Sequence, residues 1–201
     1  RDIPYLDTIS GDRLRHEMEH ILREERPERS LTRAGKLGVL ARLHPSRRAD
    51  EWTAERFRRA RQVHDEPPVT LYFALLCYRL KGNELEQLLV RLSASRLLAK
   101  TVRDTIALRE HLESLKPSGL PASHISALLE VNTTQAILAN LVACDDPVVQ
   151  GRIRLFLDKL RRVKSSLKGD DLLRLGVGTG PQVGQLLTRL RDARLDGEVS
   201  T

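Results

Sequence analysis

Residues 69–80 (VTLYFALLCYRL) are apolar at almost every position, between Pro67–Pro68 and Gly82. A helix that is apolar all round has no face to give to water and belongs at the centre of a helical protein. The rest of the chain supplies cover with the same period. Ser10 is placed to cap a helix carrying Leu14, Met18, Ile21 and Leu22. Pro27 opens a second, with Leu31, Ala34 and Leu37 on one face and Gly38 as its stop. Val39, Leu40 and Leu43 continue apolar to Pro45, and residues 46–51 are a polar connection. A helix from about Thr53 to Asp65 presents Phe57 and Ala60. Gly82 is expected to end the central helix, and Asn83 with Glu86 to cap the next one, which carries Leu85, Leu88, Leu89 and Leu92. A further helix starts near Ser95, with Leu98, Val102 and Ile106. No segment alternates with the period of a strand, so the expected fold class is all-α.

Lys116–Pro121 (KPSGLP) reads as a linker. Beyond it Ser123 is expected to cap a helix with Ile125, Leu128 and Leu129. Asn132 or Thr133 is expected to cap the next, with Ile137, Leu138 and Leu141. Asp146–Pro147 opens a long helix with Val149, Ile153, Phe156, Leu157 and Leu160. On it Arg152, Lys159 and Arg162 share one side and Arg154 and Arg161 another, giving a basic exposed surface.

The net charge is +7. Residues 146–191 hold ten basic and four acidic side chains, so most of the excess lies there. A clustered basic excess fits a polyanionic partner. Aromatic residues are 3% of the chain, too few for a base-stacking platform, so an RNA or DNA partner would be held by phosphate and shape. There is no apolar run of about 18 residues, and neither secretion nor membrane insertion is expected. Cys77 and Cys144 have no metal-binding spacing, and a reducing, cytoplasmic setting is expected.

The stretch 175–184 (LGVGTGPQVG) then sets four glycines ahead of an amphipathic helix with Val183, Leu186, Leu187 and Leu190. Glycine is costly inside a helix. Gly180–Pro181 fits a helix start whose free N–H groups and dipole would hold an anion. Gly184 would let a phosphate approach, Gly176 and Gly178 would allow the turn, and Thr179 and Gln182 lie beside them. Lys168, Arg174, Arg189 and Arg191 flank the stretch. A plain helix stop followed by a tight start is the alternative. No Lys-Ser/Thr follows the glycines, so this is not a nucleotide P-loop.

No catalytic set stands out. Val63-His64-Asp65 with His44 faintly matches HD-type phosphohydrolases, but the further ligands are missing. His16 and His20 are four apart and read as surface neighbours. Asp145–Asp146 and Asp170–Asp171 sit where helices begin and read as caps.

Two segments carry a family resemblance. Thr8-Ile9-Ser10-Gly11-Asp12-Arg13-Leu14-Arg15-His16-Glu17, followed by Ile21-Leu22, resembles the S-x-E-R-I-x-x-E helix in the neck of class II tRNA nucleotidyltransferases and bacterial poly(A) polymerases. Leu37-Gly38-Val39-Leu40 to His44-Pro45 is similar to the segment after that helix in the same enzymes. Gly169-Asp170-Asp171-Leu172-Leu173, Leu175-Gly176, Gly180-Pro181-x-x-Gly184 and Leu195-x-Gly197 resemble their tail motif. Position 12 is Asp where the family commonly has Glu. The resemblance implies an elongated neck-body-tail array: neck 1–50, body 51–116, tail 117–201. It implies structural roles for Arg13 and Glu17, and contact with tRNA or another structured RNA through Lys168, Arg174, Thr179–Gly184 and Arg189. The basic helix with Arg152, Lys159 and Arg162 adds to that surface. The family's Gly-Ser loop, Asp-x-Asp and Glu-Asp-x-x-Arg are not in these residues. The chain is therefore expected to be a C-terminal portion without cofactor of its own, with magnesium and nucleoside triphosphates belonging to a head that precedes it. A protein-interaction module is the rival from another class.

Overall fold

The structure, a computed structural model, describes residues 8–40 and 50–199. The expectations for Leu43, His44, Pro45 and the connection at 46–49 lie outside the described residues. The elements in chain order are α1 (Gly11–Leu22), α2 (Pro27–Lys36), α3 (Glu51–Val63), α4 (Val69–Cys77), α5 (Gly82–Arg91), α6 (Arg96–Glu110), α7 (Ala122–Glu130), α8 (Thr134–Ala143), α9 (Pro147–Asp158), α10 (Gly169–Arg174) and α11 (Pro181–Leu195). Short 3-10 turns follow α6 at Leu112–Leu115 and α9 at Leu160–Arg162. No strand occurs among the described residues, so the fold is all-α. Among them no single helix is long and apolar enough to cross a membrane.

The chain divides into two compact units, each discontinuous in sequence. The first is Arg1–His111 with Asn132–Asp145, and the second is Leu112–Val131 with Asp146–Thr201. The KPSGLP stretch thus lies inside the second unit, and α8 joins the first.

In the first unit α4 is buried at every position from Leu71 to Cys77. Helix α8 is also buried on nearly every side and packs against α3, α4 and α6. Leu14, Met18 and Leu22 of α1, Leu31 of α2, Phe57 and Ala60 of α3, and Leu85, Leu88 and Leu89 of α5 complete this core. Burying each such leucine contributes about 1.5–3 kcal/mol. Ser10 caps α1, accepting from the Arg13 N–H at 3.4 Å, and Asp50 caps α3, accepting from Thr53 N–H at 3.1 Å. Pro27 opens α2, and Gly38 stops it at φ +78°. Leu37 is 56% exposed and lies off the core face expected of it.

Several expected caps are placed differently. Gly82 begins α5 rather than ending α4. The Lys81 N–H donates to Glu84 at 2.9 Å, so Glu84 does the capping expected of Glu86. Glu86 instead takes two bonds from Arg103, each 2.7 Å. Glu84 is the residue whose carboxylate reaches back to the first free N–H of this helix. Thr133 stands at the start of α8, but its N–H donates to Asp104 of α6 at 2.8 Å.

Charge pairing is dense on α3, where all four arginines are bridged. Arg58 meets Glu51 and Glu55, and Arg61 meets Glu28. Arg56 and Arg59 both bind Asp145. Asp145 is therefore an ion-pair partner rather than a helix cap, because two guanidinium groups occupy its carboxylate. Hydrogen bonds from Arg56 and then Arg59 hold that carboxyl below its ordinary range. Burial, the largest influence on Glu28, pushes it up, but the Arg61 hydrogen bond, a backbone bond and the charges of Arg61 and Arg58 together leave the carboxyl lowered. A lowered folded pKa adds stability above the unfolded value of about 4, lost as pH falls through the folded one. The stabilities of the wild type and of Asp145→Asn are therefore expected to differ at pH 7 and to converge below pH ~4, read by denaturant unfolding across pH.

Asn140 ties the core together. It is fully buried; its Oδ1 accepts from Tyr78 OH at 3.1 Å, and its Nδ2 donates to Thr105 O at 3.0 Å and Ala136 O at 2.9 Å. Burial, the largest influence on it, pushes the Tyr78 hydroxyl pKa up to about 12. Removing a buried partner orphans donors and acceptors at about 1–3 kcal/mol each. Asn140→Ala is expected to cost about 2–4 kcal/mol in denaturant unfolding, with Tyr78→Phe in the same background recovering part of it.

The second unit packs α7 against α9, with Leu115, Ile125, Leu129, Val149, Ile153, Phe156 and Leu160 buried. Asp146 caps α9 as expected, accepting from Val148 N–H at 2.9 Å and Val149 N–H at 3.2 Å, with Pro147 first in the helix. Ser123 is not the cap of α7, which begins one residue earlier after Pro121. Its N–H and hydroxyl instead donate to Asp196, at 2.8 and 2.6 Å, so a carboxylate beyond the end of α11 serves the start of α7.

Candidate nucleic-acid interface

The basic surface begins where α9 stops. Lys159 adopts φ −123° and ψ −61°, which ends the helix at Asp158. Residues 159–168 (KLRRVKSSLK) then carry five cations and no carboxylate. Leu160 buries itself in the following turn, while Lys159, Arg161, Arg162, Lys164 and Lys168 are exposed. None of the five side chains has an ion-pair partner among the described residues. Lys159 and Arg162 are thus on a turn and not, as expected, on one side of a continued α9. Arg152 is turned to its own unit: its guanidinium donates to Leu115 O, and to Pro117 O at 2.6 Å, bracing the KPSGLP stretch.

Lys168 leads into α10, its N–H donating to Asp171 at 2.9 Å, so Asp171 acts at a helix start as expected. Leu172 is the buried anchor of this short helix. Gly176 then takes φ +88°. Its N–H returns to Leu173 O and that of Val177 to Leu172 O, both at 3.0 Å, the two-bond left-handed stop that favours glycine. Gly180, the residue before α11, has φ +139° and ψ −168°, a region essentially open to glycine alone. Pro181 takes the first helical position.

Two of the four glycines therefore answer to the backbone, and two do not. Gly178 and Gly184 have ordinary φ, and a Cβ on either would meet nothing within 4 Å. What they leave is an uncovered α11 start, with Thr179, Gly180, Gln182 and Gly184 all exposed. The Val183 N–H folds back to Gly180 O at 3.2 Å, so it is not free. The Gln182 N–H has no partner among the described residues. Arg174 is 78% exposed and only loosely paired, 3.6 Å from Asp171. Arg189 is exposed on α11 with no ion-pair partner among the described residues. Arg191 is committed elsewhere: it donates to Ser126 Oγ at 2.9 Å and Glu130 at 2.5 Å.

The remaining candidates do not gather. Arg13 and Glu17 are exposed on α1, and among the described residues their side chains form no hydrogen bond or ion pair. The side chain that ties α1 to the Ser93 loop is Arg15, which pairs with Asp12 and Glu19 and donates to Ser93 O at 2.5 Å. Arg91, donating to Ile9 O at 3.1 Å, assists it. The position of Arg15 in the sequence does not distinguish it from Arg13; the loop at Ser93 does, and it lies 78 residues away. His16 and His20 are exposed on α1, and His64 and Asp65 just beyond α3. Among the described residues no three His, Cys, Asp or Glu side chains are grouped to hold a metal ion.

Gly180→Ala is expected to strain the α11 start by about 1–3 kcal/mol, read as lost hydrogen-exchange protection along 181–195. Gly178→Ala is expected to be neutral, and Gly184→Ala to gain up to about 1 kcal/mol from helix propensity.

Known proteins resemble the chain at three levels. Residues 1–50 match the family model described as "Probable RNA and SrmB- binding site of polymerase A". The A-adding tRNA nucleotidyltransferase of Geobacter sulfurreducens is 26% identical over 98% of this chain, which spans 24% of that protein. A CCA-adding enzyme in complex with ATP aligns with TM-score 0.72 at 24% identity, over 98% of this chain and 49% of its own. The Thermotoga maritima CCA-adding enzyme complexed with tRNA gives TM-score 0.72 at 24% identity, over 98% and 50%. The chain thus spans from a quarter to a half of the proteins it matches. The chain is thus similar in its first fifty residues to the RNA-binding site of polymerase A, in sequence along nearly its whole length to part of a tRNA nucleotidyltransferase, and in fold to part of the CCA-adding enzymes.

Proposed function

We propose that this chain is the RNA-holding, C-terminal portion of a nucleotidyltransferase that extends the 3′ ends of tRNA. Its neck lies in 1–50, its body in 51–111 with 132–145, and its tail in 112–131 with 146–201. The observation that carries the proposal is the contrast in charge pairing. The arginines of α3 are all bridged by carboxylates, whereas Lys159, Arg161, Arg162, Lys164, Lys168 and Arg189 are exposed without ion-pair partners among the described residues. A side chain held ready for solvent phosphate gains charge-assisted bonds on binding without first breaking internal ones. Lys168 adjoins Gly169, which lies beside Val183 of the bare α11 start, and Arg161 and Lys164 lie farther along α11, by Leu187 and Arg191. The Gln182 N–H at that start adds a second kind of phosphate donor. Phosphate contact fixes position and register but reads no sequence, which suits a module that holds one class of RNA shape. Nucleotide addition, with its magnesium and triphosphates, is assigned to sequence outside these residues.

The test is titration of the chain with an unmodified tRNA transcript at several salt concentrations. Binding is expected to weaken steeply with salt, by close to one power of salt concentration per phosphate contacted. Gly184→Asp adds a negative charge where space is open, so it is expected not to lower the melting temperature but to lower affinity by roughly tenfold or more. Unchanged affinity in Gly184→Asp would remove the α11 start from the interface. A wild-type chain that binds no tRNA at low salt would overturn the proposal and favour a protein-interaction module.

A further inference from the structure

A cleft of about 410 Å³ in the second unit is lined by Glu130, Arg161, Val163, Lys164, Ser165, Leu187, Thr188 and Arg191. We infer that this cleft is a phosphate seat, additional to the α11 start, whose ligand is a phosphodiester of the bound RNA. The inference rests on the RNA-holding reading above.

Three cations face one carboxylate there, and that carboxylate, Glu130, is already bound by Arg191 at 2.5 Å. Arg161 and Lys164 are exposed at the rim, with no ion-pair partner among the described residues. The walls are fixed from within. Arg194 donates to Lys164 O at 3.0 Å, Arg191 to Ser126 at 2.9 Å, and Thr188 to Gly184 O at 3.0 Å. The Ser165 oxygen accepts from Leu167 N–H at 3.2 Å, which leaves its own O–H free to donate. Arg191 Nε is buried without a partner, so this guanidinium is not saturated by the bonds it makes. Charged donors on positioned walls suit a tetrahedral anion. The lining holds no aromatic side chain, and its apolar members are Val163 and Leu187. With no aromatic face for a base and three cationic side chains in the walls, the part of an RNA that the cleft fits is the backbone.

The experiment compares the wild type with an Arg161→Gln/Lys164→Gln double variant. Neither side chain holds the fold, so the melting temperature should not move. Titrated with the tRNA transcript across salt, the double variant is expected to lose about one unit of the log–log salt slope and roughly tenfold in affinity at low salt. An unchanged slope and affinity would overturn the inference. If Gly184→Asp loses binding while the double variant does not, the seat falls and the RNA-holding reading stands. If the wild type binds no tRNA, inorganic phosphate becomes the probe, followed by the amide resonances of Ser165 and Thr188. Shifts that vanish in the double variant would keep a phosphate seat with free phosphate as its ligand, and no shifts would overturn it.

Discussion

Helix α8 has no face to give to water, and the first unit is organised around covering it. Seven of its ten residues are buried, and α3, α4 and α6 supply the cover. Such a helix is held by area alone and could rotate among similar packings. Asn140 removes that freedom: its amide is bonded to a hydroxyl on Tyr78 and a carbonyl on α6, so any other rotation would strand a buried polar group. Asp104 fixes the start of the helix and the Arg56–Asp145 pair holds the chain just beyond its end. The apolar core supplies the stability, and a few polar bonds choose the arrangement.

In sequence α8 lies between two segments of the second unit, which begins at Leu112, is interrupted by residues 132–145, and resumes at Asp146. The two parts of that unit meet through α7 and α9, and through Arg152, which clasps the carbonyls of Leu115 and Pro117. An arginine on a basic helix reads as a phosphate ligand when only its own helix is in view. Here the nearest demand is internal, since a proline-rich turn offers carbonyls that no helix uses.

Short-range chemistry was the legible part. The apolar run at 69–77, the caps at Ser10 and Asp146, and the helix openings at Pro27, Pro147 and Pro181 all follow from residue type and spacing. So do the positive-φ stops at Gly38 and Gly176. What the sequence hid was set by distant groups. Nothing local says that Ser123 will be claimed by Asp196, that Arg15 rather than Arg13 will meet Ser93, or that Asp145 will answer to α3. In the candidate interface, the glycine-rich start was legible because its conformation is local. The cleft was not, because it needs the turn after α9 brought beside α11. Extending α9 too far also assigned Arg161, one of the cleft's cations, to a helix face.

Helix α11 has no buried residue. Half-buried leucines and a few surface bonds hold it, through Arg191, Arg194 and Asp196. An element so lightly anchored sits at the low end of the local stability range and opens more often than the core beneath it. An anion at its first turn is bound only while that turn is formed. Ligand affinity and helix population are then two sides of one equilibrium: whatever loosens the three anchors lowers apparent affinity by the fraction of time the helix is absent. By the same linkage the ligand returns that free energy as helix order. An RNA held this way would complete the fold of the surface that holds it.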